Sequence, residues 1–278
     1  MSLPGPGGGR TAPPGPVTVL AATGPVGRAL VRRLAGAGQA VIAIGRDPVR
    51  LAGLPAACEV RVADFADPSA LRQALAGAQR VAMCANAIHL PAVLEALPAA
   101  GVRRLAVMGS TRCYSAVPDP TALAVRAAAA ALAGLTVPNI LLLATMIYGT
   151  GHGVLDRLAR LRLVPVPAGA LLQPIHVDDV AACLEAGLLA ETAPGPPVVI
   201  AGPVPHGYGR LVRAVARTHG RQILVVPVPR LVLAGLGRLL DTVGRGAGLR
   251  RLAESRTFEI AAMRARLGVD PRPFDPAA

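Results

Sequence analysis

The chain has 278 residues, 53% of them hydrophobic, enough to bury one large α/β core or a core with a smaller lobe. Its formal charge is +13 and all 29 basic residues are arginine, which excludes a Schiff-base lysine and a phosphate-loop lysine. Aromatic residues are only 2% and Trp is absent, which argues against the stacking platforms that single-stranded nucleic acid needs.

The arginines are scattered, with short doublets at Arg32-Arg33, Arg103-Arg104 and Arg250-Arg251. They read as a solvated surface in preference to a nucleic-acid or membrane face. Cys58, Cys84, Cys113 and Cys183 form no Cys-x-x-Cys pair, as expected of a reduced cytoplasmic protein. Residues 1–16 are rich in Pro and Gly, contain no apolar run of signal-peptide length, and read as a disordered tail. No window offers ~18 uninterrupted apolar residues, so no membrane-spanning helix is expected.

From Val17 the chain runs Val-Thr-Val-Leu-Ala-Ala-Thr-Gly-Pro-Val-Gly, a β-branched strand ending in a turn of small residues. Apolar residues then recur at Val26, Leu30, Val31 and Leu34, the spacing of one helix face. A strand, tight turn and helix in that order aim free backbone N–H groups and the positive end of a helix dipole at a phosphate. Ala21, Thr23, Gly24, Pro25, Val26 and Gly27 are therefore the candidate pyrophosphate cradle. Alanine at 21 fits this turn only if its φ stays negative.

A second strand is expected over 40–44, followed by Gly45-Arg46-Asp47-Pro48. Asp47 and Pro48 form a helix N-cap with proline at the first helical position. The residue just past the second strand usually reads the adenosine ribose, and arginine there accommodates a 2′-phosphate. Arg46 thus points to NADP(H), with NAD(H) the alternative; Asp47 is a possible ribose acceptor in place of a cap. Third, fourth and fifth strands fall over 59–63, 81–85 and 104–109, alternating with helices, which predicts a Rossmann-type doubly wound parallel sheet with ligands at the carboxyl ends of its strands. Asp64, Phe65, Ala85, Ser110 and Thr111 all lie at such ends.

The small-x-x-small-x-x-small turn at Ala21, Gly24 and Gly27 resembles the short-chain dehydrogenase/reductase superfamily, especially its extended and atypical, epimerase-like and NmrA-like members. Three further segments carry the same resemblance: Ile147-Tyr148-Gly149 after a strand over 139–145, Pro174-Ile175-His176-Val177-Asp178-Asp179-Val180-Ala181, and Leu267-Gly268-Val269-Asp270-Pro271 near the end. It implies that Asp64 contacts the adenine amino group with Phe65 beside the ring, that the backbone at Ala85 passes the ribose, and that a hydroxyl at Ser110 or Thr111 polarises the substrate. The family's tyrosine and lysine positions on the next helix are here Ala122 and Arg126, so its usual proton-transfer pair is missing, although Arg126 can keep positive charge near the ribose. Tyr114 stands where the family carries a noncatalytic tyrosine.

His176, Asp178 and Asp179 could belong to a metal site, but two aspartates opening a helical run through Leu189 read more simply as caps, and no metal is expected. Further on, a strand over 198–202, a helix over 208–217, a strand over 222–226 and an apolar helix over 231–243 complete the chain. The expected division is a dinucleotide-binding part over 17–148 and a part over 149–278 that completes the sheet and forms a substrate lobe. The arginine-flanked helix over 231–243 is read as lobe core, with peripheral membrane attachment as its rival. The function expected is hydride transfer between NAD(P)(H) and a small carbonyl, quinone or nucleotide-sugar-like substrate. A noncatalytic nucleotide-binding regulator, or an accessory subunit of a larger assembly, is the alternative.

Overall fold

The computed structural model describes residues 15–117, 119–150, 153–189, 195–240 and 246–277. Most of the tail expected over 1–16, together with His152 and residues 241–243 of the last apolar helix, lies outside them.

Strands β1 (Val17–Leu20), β2 (Val41–Gly45), β3 (Glu59–Val62), β4 (Arg80–Met83), β5 (Arg104–Ser110) and β6 (Asn139–Ala144) alternate with helices α1 (Pro25–Gly36), α2 (Pro48–Ala52), α3 (Pro68–Ala74), α4 (Leu90–Ala100) and α5 (Pro120–Ala133). The second half adds β7 (Ile147–Tyr148), α6 (Val154–Ala159), β8 (Leu163–Pro167), β9 (Leu171–Leu172), β10 (Ile175–His176) and α7 (Val177–Leu189). It ends with β11 (Val198–Ile200), β12 (His206–Gly207), α8 (Tyr208–Thr218), β13 (Leu224–Val228), α9 (Arg230–Leu240), α10 (Gly246–Leu252) and α11 (Ala261–Leu267).

Seven strands form one parallel sheet in the order β11-β6-β5-β4-β1-β2-β3. The order reverses at β1, so the crevice beyond the carboxyl ends of β1 and β4 is the topological switch point where such sheets bind ligands. Both faces are covered, which is why β1, β2 and β6 are buried at every residue and read as continuous apolar runs. One face packs against α1, α7 and α11 through residues such as Leu30, Leu34, Val180, Leu184 and Met263. The other packs against α3, α4 and α5 through Leu71, Val93, Leu97, Val125 and Leu132. The edge strand β3 is short and carries Glu59 and Arg61, which blunts it against pairing with another chain.

The α1 and α7 helices are tied by Arg33, whose Nε donates to the buried Glu185 carboxylate at 2.6 Å. Helix α7 lies close on the sheet because Gly187 has no side chain: a Cβ there would sit 2.9 Å from Ile140 Cγ2. The aspartates that open α7 have definite partners. Asp179 accepts from the backbone N–H and Nε of Arg272, both at 3.0 Å, which clamps the C-terminal segment onto the domain. Tyr148 completes the clamp, donating to the Pro273 carbonyl at 3.2 Å and accepting from Asp275 N at 3.3 Å.

A third apolar cluster, built on Leu155, Val164, Val166, Leu211, Val212 and Val215, holds α6, α8 and the β8–β13 pair together. The expected strand over 222–226 joins this pair and takes no place in the main sheet. The reading of the last apolar helix as lobe core is corrected by the structure. Only Leu233 and Gly237 of α9 are buried, while Leu231 is 86% and Leu239 73% exposed. The apolar residues of α9 outnumber the inward positions of one helix face, so composition overstated its burial.

Candidate functional site

At the end of β1 the backbone turns on Ala21, whose φ is +57°. This overturns the expectation of a negative φ: alanine adopts the left-handed conformation glycine would normally supply, at a cost of about 1–2 kcal/mol. The turn is held by Ala22 N–H donating to Ile44 O and Gly24 N–H donating to Ala21 O, both at 3.0 Å. Gly27 has no room for a side chain, since a Cβ would lie 2.3 Å from Ala21 O and 2.8 Å from Ala22 Cα. Helix α1 therefore begins directly against the strand. Gly24 caps it without a side chain and its first turn has no acidic residue, leaving its backbone donors and dipole for an anion.

Thr23, Pro25 and Val26 complete this turn. The Thr23 carbonyl accepts from Arg28 Nε at 3.0 Å and from Arg50 Nη2 at 3.2 Å. Arg46, just past β2, is exposed and has no hydrogen-bond partner among the described residues. Asp47 is a cap: its Oδ1 accepts from Val49 N at 3.0 Å and Arg50 N at 3.2 Å, so it serves α2. Arg28 and Arg50 thus hold the turn from the β2 side, and the exposed Arg46 follows directly on β2. Past β3, Asp64 closes its loop by accepting from Ala66 N at 3.0 Å and remains exposed. Phe65 stacks on His89 with ring centroids 4.8 Å apart, a pairing that 24 residues of separation hid in the sequence. Ala85 is buried just past β4, and its small side chain leaves the backbone accessible to close approach.

A cleft of about 490 Å³ opens at the carboxyl ends of β4, β5 and β6, in the size range of small-molecule sites. Its sheet-side wall includes Asn86, Ser110, Thr111, Arg112 and Thr145; the remainder comes from later segments and includes Arg157, Gln173, Tyr208 and Arg256. Ser110 and Thr111 are adjacent yet differently employed. Thr111 is buried and its hydroxyl donates to Ala144 O at 3.3 Å. Ser110 Oγ accepts from Arg112 N at 3.3 Å, which leaves its own proton free to donate.

Arg126 is spent on the loop after β5, donating from Nε to Cys113 O at 2.8 Å and from Nη2 to Ser115 O at 3.2 Å. Ala122, at the position of the family's tyrosine, is fully buried. Tyr114 is exposed against Phe258 and does not line the cleft. Tyr208 does line it, from the first turn of α8, and its hydroxyl has no partner among the described residues. Burial pushes its phenol up, opposed by the positive charge of Arg256. Tyr208, Arg157 and Arg256 went unrecognised in the sequence because no motif links them; the third apolar cluster brings them to the cleft.

His176 is buried behind Gly149, with Nδ1 accepting from Asp178 N at 3.2 Å. No group of three His, Cys, Asp or Glu is arranged to hold a metal among the described residues. No helix among them is long and apolar enough to cross a membrane.

The fold and the turn define a Rossmann-type dinucleotide-binding protein. Residues 21–134 match the NAD(P)H-binding family model, so this part of the chain is an NAD(P)H-binding domain. No curated protein matches the chain in sequence. Among solved structures it is similar to a nucleoside-diphosphate-sugar epimerase from Pseudomonas aeruginosa, with 21% identity, TM-score 0.74 and 93% of each chain covered. It is also similar to an NADPH-dependent quinone oxidoreductase from Escherichia coli in complex with NADPH, with 19% identity, TM-score 0.72, and 92% of this chain and 96% of that one covered. MoeE5 in complex with UDP-glucose and NAD gives 21% identity, TM-score 0.71 and 94% of each chain covered. The likeness to these structures is one of fold and runs over nearly the whole chain.

Proposed function

We propose that the protein is an NADPH-dependent reductase of a small carbonyl or quinone compound, acting in the cytoplasm. The observation that carries this reading is the cleft at the carboxyl ends of the central strands, lined both by Ser110 from the end of β5 and by Tyr208 from α8. Ala21, Thr23, Gly24, Pro25, Val26 and Gly27 would hold the pyrophosphate, and Arg46, supported by Arg50, would take the 2′-phosphate. When bound, the cofactor would supply the hydride that the carbonyl carbon accepts. Ser110 donates a hydrogen bond to the carbonyl oxygen and polarises it. Tyr208 gives that oxygen its proton as the carbon–oxygen π pair moves onto it; the phenolate left behind is stabilised by Arg256 and is reprotonated from water. Asp64, Phe65 and Ala85 line the adenosine half. Thr111 acts by shaping the loop, because its hydroxyl is already bound to Ala144 O.

The test is NADPH oxidation followed at 340 nm with quinone and aldehyde panels. Ser110→Ala and Tyr208→Phe are each expected to lower kcat by about 10²-fold or more while leaving NADPH affinity unchanged. Full activity in both variants would overturn the assignment. One observation favours a second reading, a nucleotide-binding regulator or accessory subunit: Ala122 is buried where the family places its acid/base tyrosine. That reading predicts NADPH binding without turnover in either panel.

A further inference from the structure

We infer that the cleft selects a small anionic substrate, one carrying a phosphate or carboxylate group, held by Arg112, Arg157 and Arg256. This rests on the reductase reading and names the substrate class for the same site. The three guanidinium groups come from separate segments: the loop after β5, helix α6 and the strand-like stretch after α10. No aspartate or glutamate lines the cleft with them. Arg112 and Arg157 have no acidic partner among the described residues. Arg256 meets Glu254 at 3.2 Å, but that carboxylate is shared, accepting also from Ser115 Oγ at 2.8 Å and Ala116 N at 3.0 Å.

The neutral groups on the wall point the same way. The Gln173 amide is satisfied at both ends, donating to Gly202 O at 2.7 Å and accepting from Phe258 N at 2.8 Å. Asn86 Oδ1 is occupied by Ile88 N at 3.1 Å, which leaves its amide hydrogens to donate. With the Ser110 and Tyr208 hydroxyls added, the uncommitted polar capacity of the cleft is mainly donors and positive charge. Guanidinium forks match the oxygen pairs of phosphate and carboxylate, so an acceptor-rich anion is the complementary guest. The phosphates of the cofactor do not account for this charge, since the turn from Ala21 to Gly27 shares no residue with the cleft wall.

The experiment uses the full chain saturated with NADPH, so that the cofactor's phosphate positions are filled, and titrates inorganic pyrophosphate and malonate by calorimetry. Binding of at least one anion is expected, weakened tenfold or more by Arg157→Ala and by Arg256→Gln and unchanged by Arg210→Ala, which lies outside the cleft. Tighter pyrophosphate binding assigns a phosphate ester, and tighter malonate binding a carboxylate. Failure of both anions to bind, or equal binding by the Arg157 and Arg256 variants, would overturn the inference. Should NADPH itself not bind, the reductase reading falls, and the same titrations on the cofactor-free protein still decide the anion site.

Discussion

Gly27 lies so close to Ala21 that a Cβ on it would stand 2.3 Å from the Ala21 carbonyl oxygen. This contact seats the start of α1 on the end of β1 and aims its free N–H groups past the strand. Gly27→Ala is expected to destabilise the domain by more than 1 kcal/mol through overpacking and to weaken NADPH binding at least tenfold. Thermal unfolding and a fluorescence titration of the one variant check both effects.

Ala21, at φ +57°, makes the opposite prediction. Ala21→Gly removes the left-handed strain of about 1–2 kcal/mol and adds roughly 0.5–1 kcal/mol of backbone entropy cost, a net gain of up to about 1.5 kcal/mol. The variant is expected to unfold at a slightly higher temperature and to bind NADPH at least as well. A lower unfolding temperature would show that the methyl group packs usefully in the turn.

Thr111 and Ser110 separate structure from chemistry. Thr111→Val leaves the buried Ala144 carbonyl without that donor and is expected to cost about 1–3 kcal/mol of stability with kcat little changed. Ser110→Ala is expected to do the reverse. Unfolding midpoints and turnover measured on both variants distinguish the roles.

The buried thiols set an alkaline limit on stability. Burial pushes Cys84 and Cys183 up to about 12, above the value of 9.0 they take when solvated. The folded state therefore holds these protons more tightly than the unfolded chain. Their contribution is complete below pH 9 and is lost as the pH rises from 9 toward 12. Unfolding midpoints measured from pH 8 to 11 should fall, and fall less steeply in a Cys84→Ala, Cys183→Ala double variant; parallel slopes would contradict this account.

Helix α9 is anchored on one side only. Leu233→Ala is expected to cost about 2–4 kcal/mol, whereas Leu231→Ala, at a position 86% exposed, should stay within about 0.5 kcal/mol. Equal losses would mean that something covers the outer face in solution.

Much of the fold was legible because it depends on local signals. Continuous apolar runs marked β1, β2 and β6, and the Asp-Pro pairs at 47–48 and 67–68 marked helix starts that the structure shows as caps. Conformation at a single residue was harder: nothing in Ala21-Ala22-Thr23-Gly24 announces that position 21 takes the positive φ. Orientation was harder still in α9, where a helix with leucine or valine at six of its positions faces inward with only one of them. The substrate side of the cleft was not legible, because Tyr208 and Arg256 reach Ser110 only after β8, β13, α6 and α8 have assembled around their own core. Arg126 shows the converse case: its position agreed with the family pattern, while its hydrogen bonds go to the carbonyls of Cys113 and Ser115.

The most direct test of the account is a side-by-side fluorescence titration of the purified protein and its Arg46→Ala variant with NADPH and NADH. The account predicts that the native protein binds both, NADPH at least tenfold more tightly, and that the variant loses this preference while retaining NADH. Equal affinities in the native protein, or a preference that survives the substitution, would contradict the assignment of Arg46 to the 2′-phosphate. Absence of binding to either nucleotide would contradict the site itself.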